Sequence, residues 1–240
     1  MSVGLPPIPS LGGQDAHHDP GGTDLVTLLV EEHARIDRLC AALADEVDPA
    51  RRRGGADVLV AMISRHLSAE EQYLYPAVRA AVPDDGARLA QAGLDTDETL
   101  QAALVAWRAA SSDDPGGSTS SDDEGGPGTG RDRALDTVAA GWRGHRALVE
   151  TTLLPRLRAA ATPEELIRLG NRAAIAEEAA PTRPHPHAPS RPPWNRVTAP
   201  AIGVVDKVRD LASGRTTYPE DLPSDDPATV TDGAADHTPG

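Results

Sequence analysis

Apolar residues recur at helical spacing in four long stretches of this chain. The first can be capped by Thr23 or Asp24 and continues through Leu25, Leu29, Ile36, Cys40 and Leu43, with His33 in the same phase. Asp48-Pro49 reads as its end, and Gly54-Gly55 as the separator from the next stretch. In the second, Leu59, Met62, Ile63, His66, Glu70, Tyr73 and Ala77 share one face. Pro76 lies inside that pattern, which predicts a kink or an early end, and the segment stops by Pro83-Asp84. The third runs from about Ala87 to Ala110, with Leu89, Gly93, Asp97, Leu100, Leu104 and Trp107 in phase. The fourth runs from about Arg133 to Ala159. Its inner side is Leu135, Val138, Trp142, His145, Leu148, Val149 and Leu153, and Pro155 interrupts it near the end.

A fifth helix has a strong start signal. Thr162 is the cap, Pro163 takes the first helical position, and Glu165 completes a capping box; the helix ends before Pro181. No stretch alternates with the period of a strand. The expected fold class is therefore all-α: an up-down antiparallel four-helix bundle over residues 23–180, with an additional C-terminal helix and disordered tails.

Outside these stretches the composition changes. Residues 1–22 are rich in Pro, Gly and Asp and form the expected disordered N-terminal tail. SSDDPGGSTSSDDEGGPGTG, from Ser111 to Gly130, predicts a disordered insertion at about 111–132, because no core can be built from it. Residues 181–240 read as a Pro-rich and acidic tail with one short amphipathic helix near 201–212. The chain is 39% hydrophobic, has no Phe, and carries 22 Gly and 22 Pro, so a single core filling all 240 residues is excluded.

A formal net charge of −14 excludes a general nucleic-acid binder, which needs a basic face. The single cysteine, Cys40, excludes an intramolecular disulfide framework. No signal peptide and no bilayer-spanning run is recognisable, so a cytoplasmic protein without a membrane span is expected, its oligomeric state left open.

The candidate chemistry lies on the inner helix faces. Five of the eight histidines fall in the tails, leaving His33, His66 and His145, each mid-way along a different helix. Mid-helix positions of an up-down bundle meet at one level, so three imidazoles can converge. His66 and Glu70 are spaced i, i+4, about 40° apart around a helix. Asp97 lies at a comparable depth on the third helix, with Glu98 as its alternative. Glu150 follows His145 at i+5, about 140° around the helix, and is long enough to reach inward from the flank. Several buried carboxylates stay charged together only beside something positive. Imidazole and carboxylate without thiolate suit iron better than a structural zinc. A single inner-face histidine is more often a hydrogen-bonded core residue than a ligand. Three of them with Glu70 and Asp97 favour a metal.

Three motifs then stand in order. H-L-S-A-E-E-Q-Y-L-Y-P, His66 to Pro76, resembles the second-helix motif of the hemerythrin-like HHE cation-binding domains. E-E-H-A-R-I-D-R-L, Glu31 to Leu39, is similar to the first-helix motif, and H-R-A-L-V-E-T-T-L-L-P, His145 to Pro155, to the fourth. The resemblance implies a non-haem di-iron centre with His33, His66, Glu70, His145 and Glu150 as ligands. It also implies iron handling or the sensing or binding of O2, NO or oxidants. Where that family places a histidine on the third helix, this chain carries Asp97. The expected cofactor is iron, two ions bridged by oxo or carboxylate groups, with one iron or another divalent metal as the alternative. Two other functions compete. One is a metal-free bundle serving as an interaction scaffold. The other is a di-iron enzyme acting on oxygen or peroxide, a reading weakened because the two Glu-x-x-His repeats of ferritin-like oxidases are missing.

Overall fold

The computed structural model describes residues 21–112, 129–180, 182–183, 210 and 215–222. Among these the chain is all helical, without strands, in five rods. The first is α1 (Leu25–Asp45). The second is α2 (Pro49–Ala69), which passes through a π-helical turn (Glu70–Leu74) into α3 (Tyr75–Ala81). The third is α4 (Gly86–Ser112). The fourth is α5 (Thr129–Leu148), which passes through a second π-turn (Val149–Leu153) into α6 (Leu154–Ala160). The fifth is α7 (Pro163–Ala179). Residues 1–20, the centre of the 111–132 insertion, all of the 201–212 helix except Asp210, and residues 223–240 lie outside the described residues.

The helix starts follow from capping chemistry. Asp24 accepts from the backbone N–H of Val26 and Thr27, and Thr162 with Glu165 forms a complete capping box. Asp48-Pro49 corrects the sequence reading. It opens the second rod: Asp48 caps it and Pro49 takes its first turn, where a missing N–H costs nothing. Gly54-Gly55 then lies inside α2, and Gly55 is buried where an added Cβ would come within 2.7 Å of Leu43 Cδ2. That close approach to α1, not a chain break, accounts for this glycine.

Neither inner proline ends its rod. A π-turn precedes each one, closed by Tyr75 N–H to Glu70 O before Pro76 and by Leu154 N–H to Val149 O before Pro155. One extra residue per turn lets the backbone pass the proline ring without stopping.

In the bundle α1 neighbours α2 and α5, and α4 packs against both α3 and α5. The fifth rod, α7, lies over the seam between α1 and α2. The apolar core falls into two clusters. One gathers Leu25 and Leu29 with Leu74, Val78, Leu153 and Leu157. The other gathers Ile36 and Leu43 with Leu59, Ile63, Leu104 and Trp142. Along α1, His33 falls between Leu29 and Ile36; along α5 and its π-turn, His145 falls between Trp142 and Val149; along α4, Asp97 falls between Ala90 and Leu100. A polar layer thus separates two apolar halves.

Gly170 ties α7 to the start of α1. A Cβ there would sit 2.1 Å from Thr23 O and 2.8 Å from Leu25 N, both backbone atoms with little room to move. We expect Gly170→Ala to destabilise the fold by about 1–3 kcal/mol. A thermal melt that matches the parent would contradict this packing.

Candidate metal centre

The layer is built from histidines whose two ring nitrogens face opposite ways. His33 (α1) and His145 (α5) are fully buried, and His66 (α2) nearly so. Nε2 of His33 and Nε2 of His66 lie 3.1 Å apart. Glu70, at the first residue of the π-turn, turns both oxygens into the same space. Its Oε1 is 3.3 Å from His66 Nε2 and 3.9 Å from His33 Nε2, and its Oε2 is 3.2 Å from His145 Nε2. One donor atom from each of His33, His66, Glu70 and His145 lies within 4.8 Å of the others.

The opposite nitrogens meet carboxylates. Glu32 Oε2 is 3.0 Å from His66 Nδ1, and Glu150 Oε1 is 2.9 Å from His33 Nδ1. Asp97 Oδ1 is 3.0 Å from His145 Nδ1, though off the direction a ring N–H would take. Asp97 and Glu150 are therefore not brought to the Nε2 centre; each stands behind an imidazole. Glu150 also accepts from Arg146 Nε at 2.9 Å and keeps 24% of its side chain exposed. Glu98, on the same helix as Asp97, is not in the cluster.

Tyr75 closes the α4 side. Its hydroxyl is within 2.9 Å of Glu70 Oε2 and within 2.8–2.9 Å of both Asp97 oxygens. The ring occupies the space of a side chain on α4: a Cβ on Gly93 would lie 2.4 Å from Tyr75 Cε1. Trp142 forms the floor. It stacks on His145 at 5.3 Å and meets His33 and His66 edge-on at 5.3 and 5.5 Å. Its indole N–H donates to Asp37 Oδ1 at 2.8 Å, and Arg146 holds the other Asp37 oxygen.

Charge in the layer is tightly balanced. Burial and the neighbouring His66 push His33 down to about 4. Burial also disfavours charge on His66 and His145, yet the Glu70 carboxylate overrides it. With Glu32 it holds His66 well above its ordinary value; with Asp97 it lifts His145 to about 9. Burial opposes ionisation of Glu70 too, but His145 and His66 keep it well below the usual carboxylate range. Burial, then the Asp97 and Glu70 charges, push Glu71 up to about 9. Burial, then Glu32, does the same to Glu177.

A cation fits this set. Glu70 Oε1 and His145 Nε2 are buried without a hydrogen-bond partner, and both face the shared space. Two imidazole Nε2 atoms 3.1 Å apart have at most one proton-sharing arrangement, whereas a metal satisfies both lone pairs. Donors about 2.1 Å from one ion sit roughly 3.0–3.4 Å apart, which matches the shorter spacings here. The residues from Asp24 to Leu157 match the family model described as the hemerythrin HHE cation binding domain.

This chain belongs to the hemerythrin HHE family. The match covers the four rods of the bundle and stops before α7. No curated protein and no solved structure matches the chain. Among the described residues no helix is long and apolar enough to cross a membrane. Two groups beside this centre escape sequence reading: Glu32, and Glu177 beyond the family match. Both lie in the apolar phase of their helices, Glu32 at i+3 from Leu29 and Glu177 at i+4 from Ala173, so inward phase was the signal available for them. Tyr75 stands at i+5 from Glu70, across a π-turn that sequence periodicity does not reveal.

The protonation pattern sets opposite pH responses for metal-free and metal-loaded protein. His145, raised from 6.5 to about 9, contributes stability that is complete below 6.5 and lost as pH rises through about 9. Glu71 and Glu177, raised from 4.5 to about 9, act in the same direction. A metal requires neutral imidazoles, so its affinity grows over the same window. Melting temperatures without metal should therefore fall across that window while metal affinity rises. Parallel trends in the two measurements would contradict the assignment.

Proposed function

We propose that this protein binds non-haem iron in its polar layer, for iron handling or for sensing or binding O2, NO or oxidants. The observation that carries the reading is the convergence of three imidazole Nε2 atoms and Glu70 in one buried space. Its ligands are His33, His66, Glu70 and His145. Three nitrogens and a carboxylate, without thiolate, suit divalent iron and leave positions open to a small ligand. When bound, the iron supplies a redox-active centre able to take up such a ligand.

The chain's own residues then have distinct tasks. Glu70 supplies the anionic donor. Glu32, Glu150 and Asp97 hold the histidines by their far nitrogens, which orients the rings and raises their basicity. The Tyr75 hydroxyl keeps Glu70 and Asp97 apart in charge and together in space. Trp142 and the two apolar clusters exclude bulk water.

A second reading, two irons rather than one, is favoured by the carboxylate of Glu70. One oxygen faces His33 and His66 and the other faces His145 and Tyr75, the disposition of a bridge. The metal-to-chain ratio of protein purified without added metal, with a titration under reducing anaerobic conditions, separates the readings. One equivalent supports the four-ligand site; two support the bridge; none under either condition leaves the metal-free scaffold. We expect His66→Ala to lose the metal and to abolish its contribution to thermal stability. Unchanged iron content in that variant would overturn the site.

A further inference from the structure

Glu177 belongs to α7, beyond the segment that matches the family. It nevertheless reaches the polar layer. Its side chain enters the seam between α1 and α2, only 15% exposed, and its Oε1 lies 4.0 Å from His66 Nδ1. A carboxyl oxygen of Glu177, one of Glu32 and a ring nitrogen of His66 all lie within 4.8 Å of one another, and Glu32 Oε2 stands 3.0 Å from His66 Nδ1. Two buried carboxyl groups this close hold one proton between them, so one of them donates and the other remains an acceptor for the ring. Glu32 would otherwise be a long side chain on a helix flank with several rotamers open to it.

Residues 215–222 bridge α2 and α7 close by. Arg65, the residue before His66, donates from Nη2 to Thr217 O at 2.7 Å, and its guanidinium lies 4.4 Å from the centre of the Tyr218 ring. The Tyr218 hydroxyl donates to Glu178 Oε1 at 3.0 Å, beside Glu177. Arg215 bonds Asp57 Oδ1 on α2 at 2.8 Å. The segment thus ties α2, which carries His66, to α7, which carries Glu177.

We propose that Glu177 is a positioning residue of the metal centre, contributed by the fifth helix: it fixes Glu32 against Nδ1 of His66 and thereby aims Nε2 of His66 at the ion. This rests on the metal-binding reading above. A carboxylate behind a ligating histidine is worth about 10–100-fold in metal affinity, and Glu177 acts one contact further out. Its removal is expected to weaken binding roughly tenfold.

The test uses the full chain, titrated anaerobically with Fe(II) and, for its visible absorption bands, with Co(II). Glu177→Ala should weaken both ions roughly tenfold and shift the Co(II) bands. Glu177→Gln, which keeps a donor for Glu32, should restore the affinity and the spectrum. Glu32→Ala should show the same defect, and Glu32→Ala with Glu177→Ala should be no weaker than Glu32→Ala alone, because Glu177 acts through Glu32. The proposal is overturned by wild-type affinity and spectrum in Glu177→Ala, by a Glu177→Gln variant no better than the alanine, or by additive losses in the double variant. If Glu177→Ala does not fold, the glutamine variant and the Glu32→Ala spectrum decide alone. A parent chain that takes up neither ion would overturn the metal-binding reading itself, and this proposal with it.

Discussion

Everything in this bundle is arranged around the cost of burying charge at mid-height. His33, His66, Glu70, Asp97 and His145 are all essentially inaccessible to water. Isolated, each would lose several kcal/mol of hydration. They persist because each faces an opposite: Glu70 is set against three imidazoles, and three further carboxylates stand behind the rings. The apolar clusters on either side provide the driving force for folding, but they do not hold the rods in register. A slip of one residue would take a rod's imidazole out of the layer, leaving Ala34, Leu67 or Gly144 in place of His33, His66 or His145. The polar layer therefore fixes the alignment, and the apolar halves supply the stability.

The two faces of each imidazole divide the work. The Nε2 atoms and Glu70 define where an ion would sit; the Nδ1 partners define how firmly each ring points there. Those partners come from different places. Glu150 follows His145 on its own rod yet serves His33, and Glu32 sits next to His33 yet serves His66. Such crossing makes the rods interdependent: moving one changes the ring held by another. Gly93 and Tyr75 extend the same logic to α4, where absence of a side chain admits a phenol that binds two acids.

Much of this was legible in the sequence. Helical phase alone puts His33, His66, Glu70 and His145 inward, because residues three or four apart share a face. It also put Asp97 and Glu150 at the right depth. It could not say which nitrogen of which ring they would meet, since that depends on neighbouring rods rather than on their own. Asp48-Pro49 misled for a specific reason: the same pair that stops one helix is an effective cap and first turn for the next. The π-turns left no periodic signature, and they account for Pro76 and Pro155 lying within continuous rods. Helical phase turns Glu177 inward as well, but its role depends on where α7 lies over the α1–α2 seam, a long-range contact that no local pattern encodes.

The position of Trp142 has a practical consequence. Its indole touches all three histidine rings and lies parallel to one of them. An open-shell ion held by those imidazoles would be one ring away from the indole and would offer its excited state a non-radiative route to the ground state. Protonation of the stacked His145 would dim the same emitter by another route. The floor of the site is thus also a lamp, and its brightness reports what the histidines hold without any added dye.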